Sequence, residues 1–279
     1  ATIDNTEDFS SEETFDQWSS SSFDSAWYHV IVKDETNDAF AFHKYSVCHG
    51  TSSDSSAEAF ITDSGIIRSE TVPIVTANTD VNNGNVRVRL TAHNDGSSAI
   101  SVGATAYRIA LGDNDSTGYS GEQEAGVVIN TDVDSASETF DSWAHASFRG
   151  AKYYISINND SKTEVANVEA LVVHDGTNAM ITTYNEHGTG DNPLATFTAA
   201  IVGSNVVVSC AGLETNLRIT AYRILLADDE ADRTGTNVNV IGEVTVSSSA
   251  TTLDTFSTNS YQGAHYIIVG TKSNDSCIM

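Results

Sequence analysis

Apolar and polar residues alternate along most of this chain of 279 residues, the period of strands that bury one face. Val86, Val88, Leu90 and Ala92 are predicted to face one way, with Arg87, Arg89 and Thr91 on the other side. Val206, Val208 and Cys210 repeat that register. The segments Ala106-Tyr107-Arg108-Ile109-Ala110-Leu111 and Ala221-Tyr222-Arg223-Ile224-Leu225-Leu226 read as equivalent closing strands. In the first of these Tyr107, Ile109 and Leu111 share a face and Arg108 takes the other, as Arg223 does in the second. No stretch carries a helical period. Turn residues separate the runs: Asp175-Gly176, Asn82-Asn83-Gly84 and Gly203-Ser204 supply the positive φ that tight hairpins need.

The alternation repeats at a longer period. Glu138-Thr139-Phe140-Asp141-Ser142-Trp143 precedes Phe148 and the strand pattern Ala151-Lys152-Tyr153-Tyr154-Ile155. Glu13-Thr14-Phe15-Asp16-Gln17-Trp18 precedes Phe23 and Ala26-Trp27-Tyr28-His29-Val30. A third, shorter copy runs from Thr252 through Asp254 and Phe256 to Tyr261, Ala264 and Tyr266. Asp16, Asp141 and Asp254 hold one register, and Tyr28, Tyr153 and Tyr266 another. Each full copy predicts about seven to nine short strands, the count of an antiparallel sandwich.

The expected fold is therefore all-β: tandem antiparallel β-sandwiches, Ig-like or jelly-roll-like, two complete and a third partial. The expected modules span residues 1–112, 127–227 and 240–279, with acidic linkers at 113–126 and 228–239. A partial sandwich leaves an apolar face and a strand edge uncovered. Residues 240–279, with Tyr266, Ile268 and Ile278 as assembly positions, are thus expected to meet more chain or a partner. The start at Ala1, without Met, reads as a trimmed start or as a piece of a longer array.

Charge narrows the partners. The 38 acidic side chains against 13 basic ones give a net charge of −25, which repels phosphate backbones and anionic lipids. Nucleic acid and membrane insertion are not expected. No apolar run long enough to span a bilayer occurs, and no signal-peptide pattern. Cys48, Cys210 and Cys277 are scattered, forming neither a zinc pattern nor a disulfide framework.

Candidate chemistry is sparse. The repeated aromatics Phe15, Trp18, Tyr28, Phe140, Trp143, Tyr153, Phe256 and Tyr266 read as core anchors, because recurrence at one module position favours packing over a sugar-stacking platform. Asp113, Asp115, Asp228 and Asp229 are the weak Ca²⁺ candidates, together with Asp132 and Asp134. They lack the regular ligand spacing of a calcium loop, so solvated linker charge is the simpler reading and no cofactor is expected. His174-Asp175 sits in a turn, His187 lies near Asp191, and His43, His49, His93 and His145 show no metal spacing. Gly118-Tyr119-Ser120-Gly121 lacks the second glycine of a nucleophile elbow. No enzymatic activity is expected.

The run from Phe148 to Ile155, then Val168 to Thr177 with its Val-x-His-Asp-Gly-Thr ending, then Tyr184 and the Val-rich strand from Asn205, resembles a repeated module of virion structural proteins of marine tailed phages. Cyanophage tail-fibre-like proteins are the nearest comparison. Residues 137–228 resemble it along nearly their whole length. Residues 13–111 do so less well: Trp27 stands in place of Lys, Cys48-His49-Gly50 in place of His-Asp-Gly, and the middle section from Thr51 to Thr71 is longer. Residues 252–270 match only the opening. The resemblance implies a non-enzymatic, homo-oligomeric virion component: a fibre, decoration or tail-associated protein. Its implied partners are copies of itself, other virion proteins, and a host surface glycan or protein. Two rivals remain. One is a cell-surface adhesin or filament subunit completed by strand addition, with Ala1 to Glu7 as the donor candidate; the other is a carbohydrate-binding tailspike.

Overall fold

A computed structural model describes residues 2–5, 12–34, 36–51, 57–93, 101–112, 125–159, 163–189, 193–226, 246, 248–256, 264–272 and 275–278. Every regular element among them is a strand, and every pairing is antiparallel. The first half holds β1 (Thr2–Asn5), β2 (Glu13–Ser19), β3 (Ser25–Asp34), β4 (Ala39–Thr51), β5 (Ala57–Arg68), β6 (Val75–Asn82), β7 (Asn85–Ala92) and β8 (Val102–Leu111). The second holds β9 (Ala125–Val133), β10 (Glu138–Ala144), β11 (Gly150–Asn159), β12 (Val165–His174), β13 (Ala179–Gly188), β14 (Ala195–Val202), β15 (Asn205–Gly212) and β16 (Leu217–Leu226). A hairpin of β17 (Val269–Lys272) and β18 (Asp275–Ile278) follows.

Both halves have one topology. A five-stranded sheet ordered β1-β8-β3-β4-β5 faces a three-stranded sheet β2-β7-β6; the second half repeats this as β9-β16-β11-β12-β13 and β10-β15-β14. Each half rolls up, its first strand beside its eighth and its second beside its seventh, in different sheets. Between the sheets lies a separate apolar core. One gathers Phe15, Trp18, Tyr28, Val30, Val47, Val86, Val88 and Leu90, the other Phe140, Trp143, Tyr153, Ile155, Val172, Val206, Val208 and Cys210.

The hairpins follow from their turn residues. Asn83 and Gly84, with φ of 50° and 74°, make the two-residue turn between β6 and β7. Gly203, at φ 63°, opens the equivalent β14–β15 turn. In the β12–β13 turn the Asp175 carboxylate accepts the backbone N–H groups of Thr177 and Asn178, both at 2.7 Å, and Gly176 takes φ 92°.

The closing strands carry their arginines inward. The apolar face of β8, Ile109 and Leu111, does not enter its own sandwich. With Trp27 and Tyr154, and with Tyr222 and Ile224 packed against them, it forms a third apolar layer where the two five-stranded sheets meet. The other face points inward, carrying Val102, Ala104 and Ala106 into the core and Arg108 toward Asp16. Strand β11 is accordingly buried on both faces along almost its whole length.

The third copy departs from expectation. Residues 264–268 form no strand, although Tyr28 and Tyr153 occupy the middle of β3 and β11. Those two strands are held by neighbours on both sides, β4 with β8 and β12 with β16; no such pair flanks residues 264–268 among the described residues. Phe256, expected as a core anchor, is 44% exposed. Thr2–Asn5, the described part of the donor-strand candidate Ala1 to Glu7, pairs with β8 in its own sheet.

Candidate functional site

Two sets of buried polar groups stand out, one inside each sandwich and one between the halves. The first grows from the repeated Asp-x-Trp and Tyr positions. A register shift in β2 between Thr14 and Asp16, matched in β10 between Thr139 and Asp141, marks a bulge beside each aspartate. In the second half the Asp141 carboxylate accepts the Tyr153 hydroxyl at 2.7 Å and Arg223 Nη1 at 2.7 and 2.8 Å. Trp143 Nε1 donates to the same hydroxyl at 3.1 Å. In the first half Trp18 donates to Tyr28 at 2.9 Å, Tyr28 to Asp16 at 2.7 Å and Arg108 to Asp16 at 2.7 Å. Burial and the adjacent carboxylate push both tyrosines well above their ordinary range, so each stays protonated and donates. The tie joins the two sheets of each sandwich: the aspartate comes from the small sheet, the tyrosine and arginine from the large one. In the third copy Tyr266 donates to Asp254 at 2.7 Å, but on the surface.

The predicted anchors Phe15, Trp18, Tyr28, Phe140, Trp143 and Tyr153 are all buried. The repeated histidines support the same aromatic corner. His49 Nε2 lies 2.7 Å from the Phe23 carbonyl, and His174 Nε2 lies 2.7 Å from that of Phe148. Gly176 N–H donates to His174 Nδ1 at 3.0 Å, which assigns the donating proton to Nε2. Burial lowers the His174 pKa. His174-Asp175 is thus a structural corner and not a base paired with its acid: the Asp175 carboxylate faces its own turn. Burial also pushes the Cys48 thiol up to about 12, as expected of a packing residue.

The second set lies between the halves. Lys44 on β4 and Lys152 on β11 both donate to Glu169 Oε2 on β12. Lys152 also donates to the Tyr184 hydroxyl, and Asn185 Nδ2 donates to Glu169 Oε1 at 2.8 Å. Lys152 and Glu169 are each 0% exposed. Burial works against the Glu169 charge, but the two ammonium groups outweigh it and hold its pKa at about 2. Burial, partly offset by Glu169, brings Lys152 down to about 8. The Lys152 ammonium sits 4.7 Å from the Tyr154 ring centre and 4.3 Å from that of Tyr184.

Around this cluster the halves are stitched together. Ser25 meets Ser156 at 2.5 Å, Asn158 donates to Asp24 at 3.1 Å, and Asn167 donates to Ser46 and to the Val47 carbonyl, both at 3.0 Å. Tyr154 and His29 meet at 3.3 Å. The His29–Tyr154 and Lys44–Glu169 pairs each join residues 125 apart, the spacing that carries Tyr28 onto Tyr153. Equivalent positions of the two copies therefore face each other, as across a two-fold axis. At the Lys44–Glu169 pair the copies have diverged to opposite charge. The C-terminal segment reaches this junction: the His265 ring lies 4.4 Å from that of His29 and 6.4 Å from that of Phe42.

Asp113, Asp115, Asp228 and Asp229 lie outside the described residues, as do Tyr261, Asp191 and the Gly118–Gly121 segment. Asp134 is occupied as a cap, accepting the backbone N–H of Asn216 at 3.0 Å. Among the described residues no group of three or more His, Cys, Asp or Glu side chains is placed to hold a metal ion. Of the expected assembly positions, Tyr266, Ile268 and Ile278 are half-buried. The Lys44–Glu169–Lys152 cluster was not foreseen, although the sequence holds a signal for it. Lysine and glutamate stand at equivalent positions within two otherwise apolar or neutral strand patterns.

A scan against protein-family models finds no match for this chain, and a search of the curated proteins finds none either.

Proposed function

We propose that this protein is a non-enzymatic structural building block of a virion, a fibre, decoration or tail-associated component of a marine tailed phage. The observation that carries the reading is the use made of buried and part-buried ionisable groups. Asp16, Arg108, Asp141 and Arg223 tie sheet to sheet, and Lys44, Glu169 and Lys152 tie half to half. A removed partner would leave a buried charge uncompensated, so such ties fix one geometry more than they add stability. A rigid two-sandwich unit transmits load and presents its outer strands at a fixed spacing. That suits a particle component acting through copy number. The net charge of −25 suits a surface kept dispersed in a salty medium. The sequence resemblance of residues 137–228 supplies the phage assignment itself.

Mass spectrometry of particles purified from the phage that encodes this chain tests the proposal. The chain is expected at a fixed copy number across preparations. Its absence from clean particles, with the chain recovered instead from host envelopes, would replace the virion reading with the cell-surface one.

A further inference from the structure

The cluster around Glu169 holds more than an ion pair. An amine, a carboxylate and a carboxamide converge there from three successive strands. Lys152 stands on β11, Glu169 on β12 and Asn185 on β13. The amine and the amide nitrogen each touch one oxygen of the same carboxylate. We propose that Lys152 and Asn185 are the partners of an intramolecular amide cross-link, formed with Glu169 as the proton carrier.

The backbone is built to bring the amide in. On a regular strand Tyr184 and Asn185 would point to opposite faces. Here the β12–β13 register shifts between Asn167 and Glu169, so Glu169 pairs with Tyr184 and Asn167 with His187. Asn185 takes φ 57°, the left-handed region that Asn tolerates better than other side chains with a Cβ. This bulge turns the Asn185 side chain onto the face that Tyr184 already occupies, and both end at the Glu169–Lys152 pair. Bulges commonly re-aim a side chain beside a reactive site. A tie to Glu169 alone would need no such detour, because Lys44 and Lys152 already neutralise it.

The surroundings favour the chemistry. Lys152 and Glu169 are cut off from water, with the Tyr154 and Tyr184 rings beside the amine. Burial raises the share of the neutral, nucleophilic amine. Glu169, a weak base while both ammonium groups face it, takes the Lys152 proton only as the C–N bond forms. The lone pair on Nζ attacks Asn185 Cγ. The Nζ–Cγ bond forms, the Cγ–Nδ2 bond breaks, and Nδ2 leaves with the transferred protons as ammonium. Glu169 returns to its starting state. Nothing is oxidised or reduced, and no co-reactant is required. The product ties β11 to β13 across β12.

Intact-mass measurement on denatured, purified protein reads the outcome directly. The expected mass falls short of the sequence mass by one ammonia. Proteolysis should yield a branched peptide joining the Lys152 and Asn185 segments, with no cleavage after Lys152. Lys152→Arg and Glu169→Gln should each restore their full sequence mass. A wild-type mass equal to the sequence value overturns the proposal. So does a deficit that persists in Lys152→Arg, which would assign it to a succinimide such as one at Asn83-Gly84. A deficit of one water would mean a Lys152–Glu169 amide and likewise overturn it. Because the wild-type mass is taken on unfolded chain, the answer does not depend on any variant folding.

Discussion

Replacing Asp141 with alanine should cost far more than the same change at Asp16, although the two residues hold equivalent places in the repeat. Asp141→Ala removes two acceptors from Arg223 Nη1 and the acceptor of Tyr153. Arg223 is 2% exposed, so its guanidinium stays in a low-dielectric core without that counter-charge. Breaking a buried pair in this way costs about 3–5 kcal/mol. Asp16→Ala likewise removes the acceptor of Tyr28, but Arg108, whose side chain is 18% exposed, can recover part of its solvation from water. About 1–2 kcal/mol is expected there. Urea denaturation followed by tryptophan fluorescence measures both. Trp18 and Trp143 donate to the tyrosines in question and report each tie separately once the other and Trp27 are replaced by phenylalanine. Equal losses for the two variants, or a loss under about 1 kcal/mol for Asp141→Ala, would refute the claim that depth of burial sets the strength of this tie.

Acid should loosen the junction. Burial lowers His29 to about 3, so between 6.5 and that value the unfolded chain binds protons that the folded chain does not, and stability falls with pH. Glu169, held at about 2, adds a second loss as pH drops from 4.5 toward that value. Melting temperature should therefore decline from pH 7 to pH 5 and more steeply below pH 4.5; a flat profile over that range contradicts the assignment. Lys152 acts in the same sense at the alkaline end, its contribution becoming more favourable as pH rises from about 8 toward 10.5. Gly112→Ala should destabilise the first half by about 2 kcal/mol or more, since the new Cβ would lie 1.9 Å from the Ser22 carbonyl oxygen; thermal melts check it. Cys48, with its thiol raised to about 12, should resist a thiol reagent in the folded protein and react at once in denaturant; fast labelling of the native chain would contradict its burial.

The strand pattern and the turn chemistry were legible residue by residue. Period-two alternation marks strands because successive side chains take opposite faces, and Asn83-Gly84 and Gly176 mark turns because few other residues adopt positive φ there. The repeat of Asp, Trp and Tyr predicted equivalent packing positions, and the structure places the first two sets in equivalent cores. Alternation reports that a face is covered but not by what. In β8 the alternation separates Ile109 and Leu111 from Arg108; it does not say that the first pair lies toward the other half while the arginine face enters the core. Only pairing across distant sequence could decide this, because Arg108 becomes acceptable inside once Asp16 and Tyr28 are folded beside it. The same holds for Lys44, Lys152 and Glu169, three charges on three different strands. Their meaning depends on two sheets meeting face to face, and on a single bulge at Asn185 that local propensity permits but does not demand.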